Sequence, residues 1–175
     1  MVSVKELKQK ICLLGDWGVG KTSLIKKFVF DRFDDKYHVT LGTKVTKKRI
    51  KFKRDNGNVL DLNLMIWDVM GQKEFKRVQL LAYKNTNGVL IVCDLTRRET
   101  YENIPKWWDE ISKITGEIPM IILANKSDLK TQIKVTMNEL AEMANEYQAT
   151  YLFTSAKTGD NVNNAFKKMG MKLVK

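Results

Sequence analysis

Gly15-Asp16-Trp17-Gly18-Val19-Gly20-Lys21-Thr22 limits what the chain can fold into more than any other stretch. It reads G-x-x-x-x-G-K-T, the phosphate-loop pattern. The apolar run Ile11-Cys12-Leu13-Leu14 before it suits a buried strand, and Leu24, Ile25 and Phe28 after it recur at helical spacing. Strand, glycine loop and helix are the context the motif requires. The glycines let successive N–H groups turn towards phosphate oxygens, and the helix N-terminus adds partial positive charge. In that setting Lys21 would reach the β- and γ-phosphates and the Thr22 hydroxyl would hold Mg²⁺.

The remaining pattern supplies an α/β sheet. A second strand runs from about Val45 to Lys53, with Ile50 and Phe52 on one face and lysines between them. Asp55-Asn56-Gly57-Asn58 is a hairpin turn signal, and Val59 to Trp67 is the partner strand. Val89 to Val92 and Pro119 to Ala124 are continuous apolar runs, as expected of strands covered on both faces. Thr150 to Thr154 is a last short strand. Helical stripes lie between them: Phe75, Val78, Leu81 and Ala82; Ile104, Trp107, Trp108 and Ile111 with Pro105 near the start; Leu140, Met143, Ala144 and Tyr147 after a Thr136–Glu139 capping box; and Val162, Ala165, Phe166, Met169 and Leu173. This alternation predicts a doubly wound sheet with its ligand site at the carboxyl ends of the strands.

With 175 residues and no linker-like stretch, residues 1–175 read as one domain. No run approaches membrane-spanning length, and Val2-Ser3-Val4-Lys5-Glu6 is too polar for a signal peptide. Cys12 and Cys93 fall in apolar runs, which suits buried thiols in a reducing, cytoplasmic compartment. The net charge of +11 comes from lysines spread along the chain. It reads first as a solvated exterior and argues against a nucleic-acid partner. The one dense stretch is Lys44 to Arg54, which leaves weak contact with an anionic membrane surface as a second reading.

Asn125-Lys126-Ser127-Asp128 follows directly on the Pro119–Ala124 strand. A carboxylate there can accept from the N1–H and exocyclic amine of guanine. Adenine offers neither donor, so Asp128 would separate GTP from ATP by leaving the wrong base opposite an unpaired carboxylate. Ser155-Ala156-Lys157 follows the last strand in the same way.

With these motifs in order, the chain resembles the Ras-superfamily small GTPases, nearest the Rab-like branch. Gly15 to Thr22, Trp67-Asp68-x-x-Gly71-Gln72, Asn125 to Asp128 and Thr154 to Lys157 carry the resemblance, as does the wording Thr158-Gly159-Asp160-Asn161-Val162. It implies a P-loop NTPase G domain: a mostly parallel six-stranded sheet with one antiparallel edge strand and about five helices. It implies GTP or GDP with Mg²⁺, and a switch that hydrolyses GTP slowly. Asp16, Trp17, Gly18, Val19, Gly20, Lys21, Thr22 and Ser23 would cradle the phosphates. Thr40 and Asp68 would join Thr22 around Mg²⁺. Tyr37 would lie over the phosphates and Phe33 against the guanine. The Gly71 N–H would contact the γ-phosphate, and Gln72, acting with Lys21 and Thr40, would orient the attacking water. Asn125, Lys126, Asp128, Ser155, Ala156 and Lys157 would hold the base. Effectors, exchange factors and activating proteins would engage the switch loops of a monomer.

Trp17, Met70 and Lys73 stand where the family usually carries Gly or Ser, Ala and Glu. An indole at Trp17 would crowd the γ-phosphate, or else swing outward over the loop. A nucleotide-binding module with negligible hydrolysis therefore remains open, as does a basic interaction protein for anionic lipid or nucleic acid. Gly170 to Lys175 contain no Cys, and Val2 rules out N-myristoylation, so no lipidation site is expected in these residues. The resemblance then implies either a truncated tail or a member, such as a prokaryotic or archaeal one, that would work without a lipid.

Overall fold

Six strands form one sheet in the order β2-β3-β1-β4-β5-β6. The structure, a computed structural model, describes residues 4–34, 42–53, 59–69 and 76–174. The strands are β1 (Val4–Leu14), β2 (Lys44–Lys53), β3 (Val59–Asp68), β4 (Gly88–Asp94), β5 (Met120–Asn125) and β6 (Thr150–Phe153). Only β2 runs antiparallel, paired with β3 from Lys44↔Asp68 to Lys53↔Val59. The other neighbours are parallel, which puts the carboxyl ends of β1, β3, β4, β5 and β6 on one edge. The expected sheet is therefore present. The hairpin turn Asp55–Asn58 falls outside the described residues.

Each buried strand shows why the pattern is continuous rather than alternating. Ile11, Leu13, Leu90, Val92, Ile121 and Leu123 pack on one side of the sheet, against Leu24, Ile25 and Phe28 of α1 (Lys21–Phe30) and Val162, Phe166 and Met169 of α6 (Val162–Leu173). Cys12, Leu14, Val89, Ile91, Cys93, Ile122 and Ala124 pack on the other. There they meet Trp107 and Ile111 of α4 (Ile104–Thr115) and Leu140 and Ala144 of α5 (Met137–Glu146). Each fully buried aliphatic or aromatic side chain contributes about 1.5–3 kcal/mol, so both layers are needed. Phe28 and Phe166 stack with ring centroids 4.2 Å apart, joining α1 to α6. Both thiols are buried and free; burial pushes Cys12 up to about 11 and Cys93 up to about 12.

Three details depart from the sequence pattern. β1 begins well before its apolar run, because its first half pairs with β3 from Val4↔Val59 onward. The five-residue α3 (Arg98–Glu102) precedes α4, whose first turn takes Pro105 where no intrahelical N–H is needed. In α2 (Lys76–Tyr83) the buried face is Gln79, Ala82 and Tyr83, while Val78 and Leu81 point to solvent, Leu81 being 64% exposed. Docking selects the i, i+3, i+4 set that includes the larger Tyr83 ring. Among the described residues, five helices have eight or more residues, and no helix is long and apolar enough to cross a membrane.

Candidate functional site

The glycine loop leaves the end of β1 and opens α1 directly. Gly15 has φ +138°, and a Cβ there would lie 2.2 Å from the Val92 carbonyl oxygen. Gly20 has φ +105°, and a Cβ there would lie 2.2 Å from Asn125 Nδ2. Both positions therefore demand glycine. Gly20 is also the N-cap of α1 and, being glycine, offers the first N–H groups of the helix no side-chain cap.

Lys21 folds back into the loop, its Nζ donating to the carbonyls of Gly15 (2.7 Å) and Asp16 (2.8 Å). Burial pushes its pKa down to about 8, against the upward pull of Asp68 and Asp16. A buried ammonium here gains from an anion, and a phosphate at the helix N-terminus is that anion. Thr22 Oγ1 donates to Asp68 Oδ2 at 2.5 Å. Asp68 Oδ1 is buried and has no hydrogen-bond partner among the described residues. Burial raises the Asp68 pKa, with the Thr22 hydrogen bond and Lys21 opposing it. A hydroxyl beside a carboxylate oxygen without a donor is the oxygen set that a hard divalent cation takes. The residues present thus fit both a phosphate and a divalent cation.

The ends of β5 and β6 form a second cluster. Asn125 Oδ1 accepts from Thr154 Oγ1 and the Ala156 N–H, each at 3.3 Å. Its Nδ2 donates to the Val19 carbonyl at 2.9 Å, which ties this cluster to the glycine loop. Ser155 Oγ donates to Asp128 Oδ1 at 2.6 Å and accepts the Thr158 N–H at 3.1 Å. Lys126, at φ +65°, places Nζ 2.7 Å from Asp94 Oδ2.

The structure thus brings Asp16, Val19, Gly20, Lys21, Thr22 and Asp68 together, and Asn125, Lys126, Asp128, Ser155 and Ala156 beside them. Gly18 lies in the same loop, and half-buried Ser23 follows Thr22 in α1. Phe33 is 37% exposed, and Lys157 is exposed at the rim. Tyr37, Thr40, Met70, Gly71, Gln72 and Lys73 lie outside the described residues. The Trp17 indole is 58% exposed and lies under the Arg97 guanidinium, 5.1 Å from its carbon to the ring centroid. This is the outward arrangement.

Sequence reasoning missed the supports of the loop. Asp16 carries Asn103 Nδ2 on Oδ2 (2.7 Å) and Trp107 Nε1 on Oδ1 (2.9 Å). Trp107 is therefore both a core residue and a clamp. Arg97 joins Asp94 to the Trp17 carbonyl. The signal available was position: Asp94 ends β4 and Arg97 lies three residues on, at the ligand-bearing edge.

A glycine loop opening a helix at that edge, with a polar tetrad at the end of β5, defines a P-loop nucleotide-binding protein. The sequence profile of the Ras family matches residues 10–175. The chain is 34% identical to Ras-related protein RabC of Dictyostelium discoideum over 163 residues, 93% of this chain and 82% of that one. It is 33% identical to Ras-related protein Rab-13 of Rattus norvegicus (91% and 77% covered). It is 34% identical to the GTP-binding nuclear protein GSP1 of Encephalitozoon cuniculi (93% and 74% covered). The chain belongs to the Ras family. It is a Rab-like, GTP-binding molecular switch that hydrolyses GTP, uses GTP/GDP and Mg²⁺, and works with regulators and effectors in the general manner of the family.

Proposed function

We propose that residues 1–175 act as one monomeric domain in which the two clusters read GTP, the first its phosphates and the second its base. Lys21, Ser23 and the loop N–H groups of Asp16 to Thr22 bind the phosphates. Thr22, Thr40 and Asp68 hold Mg²⁺, which when bound neutralises charge developing on the transferred phosphoryl group. Asn125 keeps the base and phosphate sites in register through Val19. Asp128, held by Ser155, accepts from guanine, with Lys126, Phe33, Lys157 and the Ala156 N–H around the ring. Gln72 orients the attacking water, and Tyr37 and the Gly71 N–H close over the phosphates. Hydrolysis is slow, since the catalysis rests on positioning and electrostatic stabilisation that are incomplete until a partner contributes.

The observation that carries this reading is the cluster of Lys21, Thr22 and Asp68, with Asp68 Oδ1 lacking a donor among the described residues. Titration calorimetry of nucleotide-stripped protein tests it. GTP and GDP should bind with Mg²⁺, ATP should not, and Asp68→Ala should abolish the effect of Mg²⁺. ATP binding equal to GTP would overturn the base assignment.

A specific observation supports a second contact. Lys44, Lys47, Lys51 and Lys53 are exposed on the edge strand β2, whereas Arg49 is paired with Asp61 and Lys48 donates to the Val29 carbonyl. Edge lysines also deter strand-to-strand aggregation. Near an anionic membrane they contribute about 1 kcal/mol each. Co-sedimentation with anionic vesicles at low salt, lost at high salt, is the expected result.

A further inference from the structure

Three positions of the glycine loop have their carbonyls held by cations. Lys21 Nζ takes those of Gly15 and Asp16. The next carbonyl, Trp17, turns instead to Arg97, whose Nη2 donates to it at 2.7 Å. Arg97 is itself fixed on two further sides. Its Nε donates to Asp94 Oδ2 at 3.1 Å, and its face lies over the Trp17 indole. Asp94 is buried and anchored by Lys126 on the same oxygen and by the Thr96 N–H and hydroxyl on the other. A trans peptide unit is planar, with its C=O and N–H pointing in opposite directions. Drawing the Trp17 carbonyl to Arg97 therefore turns the Gly18 N–H to the opposite side.

We propose that Arg97 is a positioning residue for nucleotide binding: it holds the Trp17 carbonyl so that the Gly18 N–H is presented to the phosphates, and the Trp17 indole is its seat. This rests on the reading of Gly18 as a phosphate donor. A donor oriented in advance needs no reorganisation when the ligand arrives. Only a planar fork can serve a carboxylate, a carbonyl and an aromatic face together, so lysine cannot take the role. The indole at this position is then a platform for a cation rather than an obstruction.

The test uses the whole chain loaded with a fluorescent GDP analogue. Arg97→Lys, which keeps the charge near Asp94, should speed nucleotide release about tenfold, the worth of one well-placed hydrogen bond. It should also move the Gly18 amide resonance of ¹⁵N-labelled, GDP-bound protein. Trp17→Gly should do the same without touching a charge. The double variant should release nucleotide no faster than the quicker single one, because both remove one linkage. Wild-type release from Arg97→Lys, an unmoved Gly18 amide, or additive single effects would each overturn the proposal. Wild-type protein that retains no guanine nucleotide would instead overturn the assignment of the site.

Discussion

The Ser155 hydroxyl donates to Asp128 Oδ1 across 2.6 Å, so the carboxylate proposed to read the base is held in place before any ligand arrives. Asp128→Ala removes two charge-assisted acceptors. GTP affinity should fall on the order of 10²–10⁴-fold. Asp128→Asn puts a donor where the 2-oxo group of xanthine needs one, and binding should shift towards xanthine nucleotides. Titration of both variants with GDP and XDP measures this; unchanged GDP affinity in Asp128→Ala would remove Asp128 from the site.

Asn125 serves the fold before it serves the ligand. Its amide pairs with the Val19 carbonyl, the Ala156 N–H and the Thr154 hydroxyl, all buried. Asn125→Ala leaves these groups unpaired and should cost about 2–4 kcal/mol in urea unfolding of nucleotide-free protein. A loss confined to nucleotide affinity, with stability intact, would contradict this.

Glu139 gives the protein an acid-sensitive tie. Its carboxylate accepts from Arg98 Nη2 (2.5 Å), from the Thr136 N–H (2.8 Å) and from the Thr136 hydroxyl (2.8 Å). Those bonds, Arg98 first, hold its pKa down to about 2 from an ordinary 4.5. A carboxylate with a depressed folded pKa contributes fully above its unfolded value and loses that contribution as pH falls through the folded one. Between pH 4.5 and 2, therefore, the melting temperature of wild type should fall more steeply than that of Glu139→Gln. Parallel pH profiles would show that the tie contributes nothing.

Trp17 lies outward under Arg97 rather than inside the loop. Removing the indole therefore opens no room for the attacking water. Single-turnover GTP hydrolysis by Trp17→Gly should be no faster than wild type, whose rate should be on the order of 10⁻⁴ per second. A faster variant would mean that the ring obstructs the reaction after all.

Much of this fold is legible because its strands carry apolar residues on both faces. Ile11, Cys12, Leu13 and Leu14 alternate between the two core layers, and only a doubly covered sheet accepts such a run. The loop, Asp68 and the Asn125–Asp128 tetrad were legible because their spacing follows the strand ends. The supports were not. The indole N–H of Trp107 reaches Asp16 from a helix far along the chain, and periodicity reports only that its ring is buried. The buried face of α2 departs from its apolar stripe for a related reason: Gln79 is buried by tertiary docking, which outweighs its polarity.

The stack of Phe28 on Phe166 has a consequence for biosynthesis. Translation delivers the glycine loop early, yet the helix it opens completes its apolar contact only with a residue near the far end of the chain. At about 5–20 residues per second, Phe166 leaves the ribosome on the order of ten seconds after Phe28. Until then α1 has sheet on one side and no α6 beside it. A nascent chain thus carries the full phosphate motif well before the helix that packs against α1 has been made.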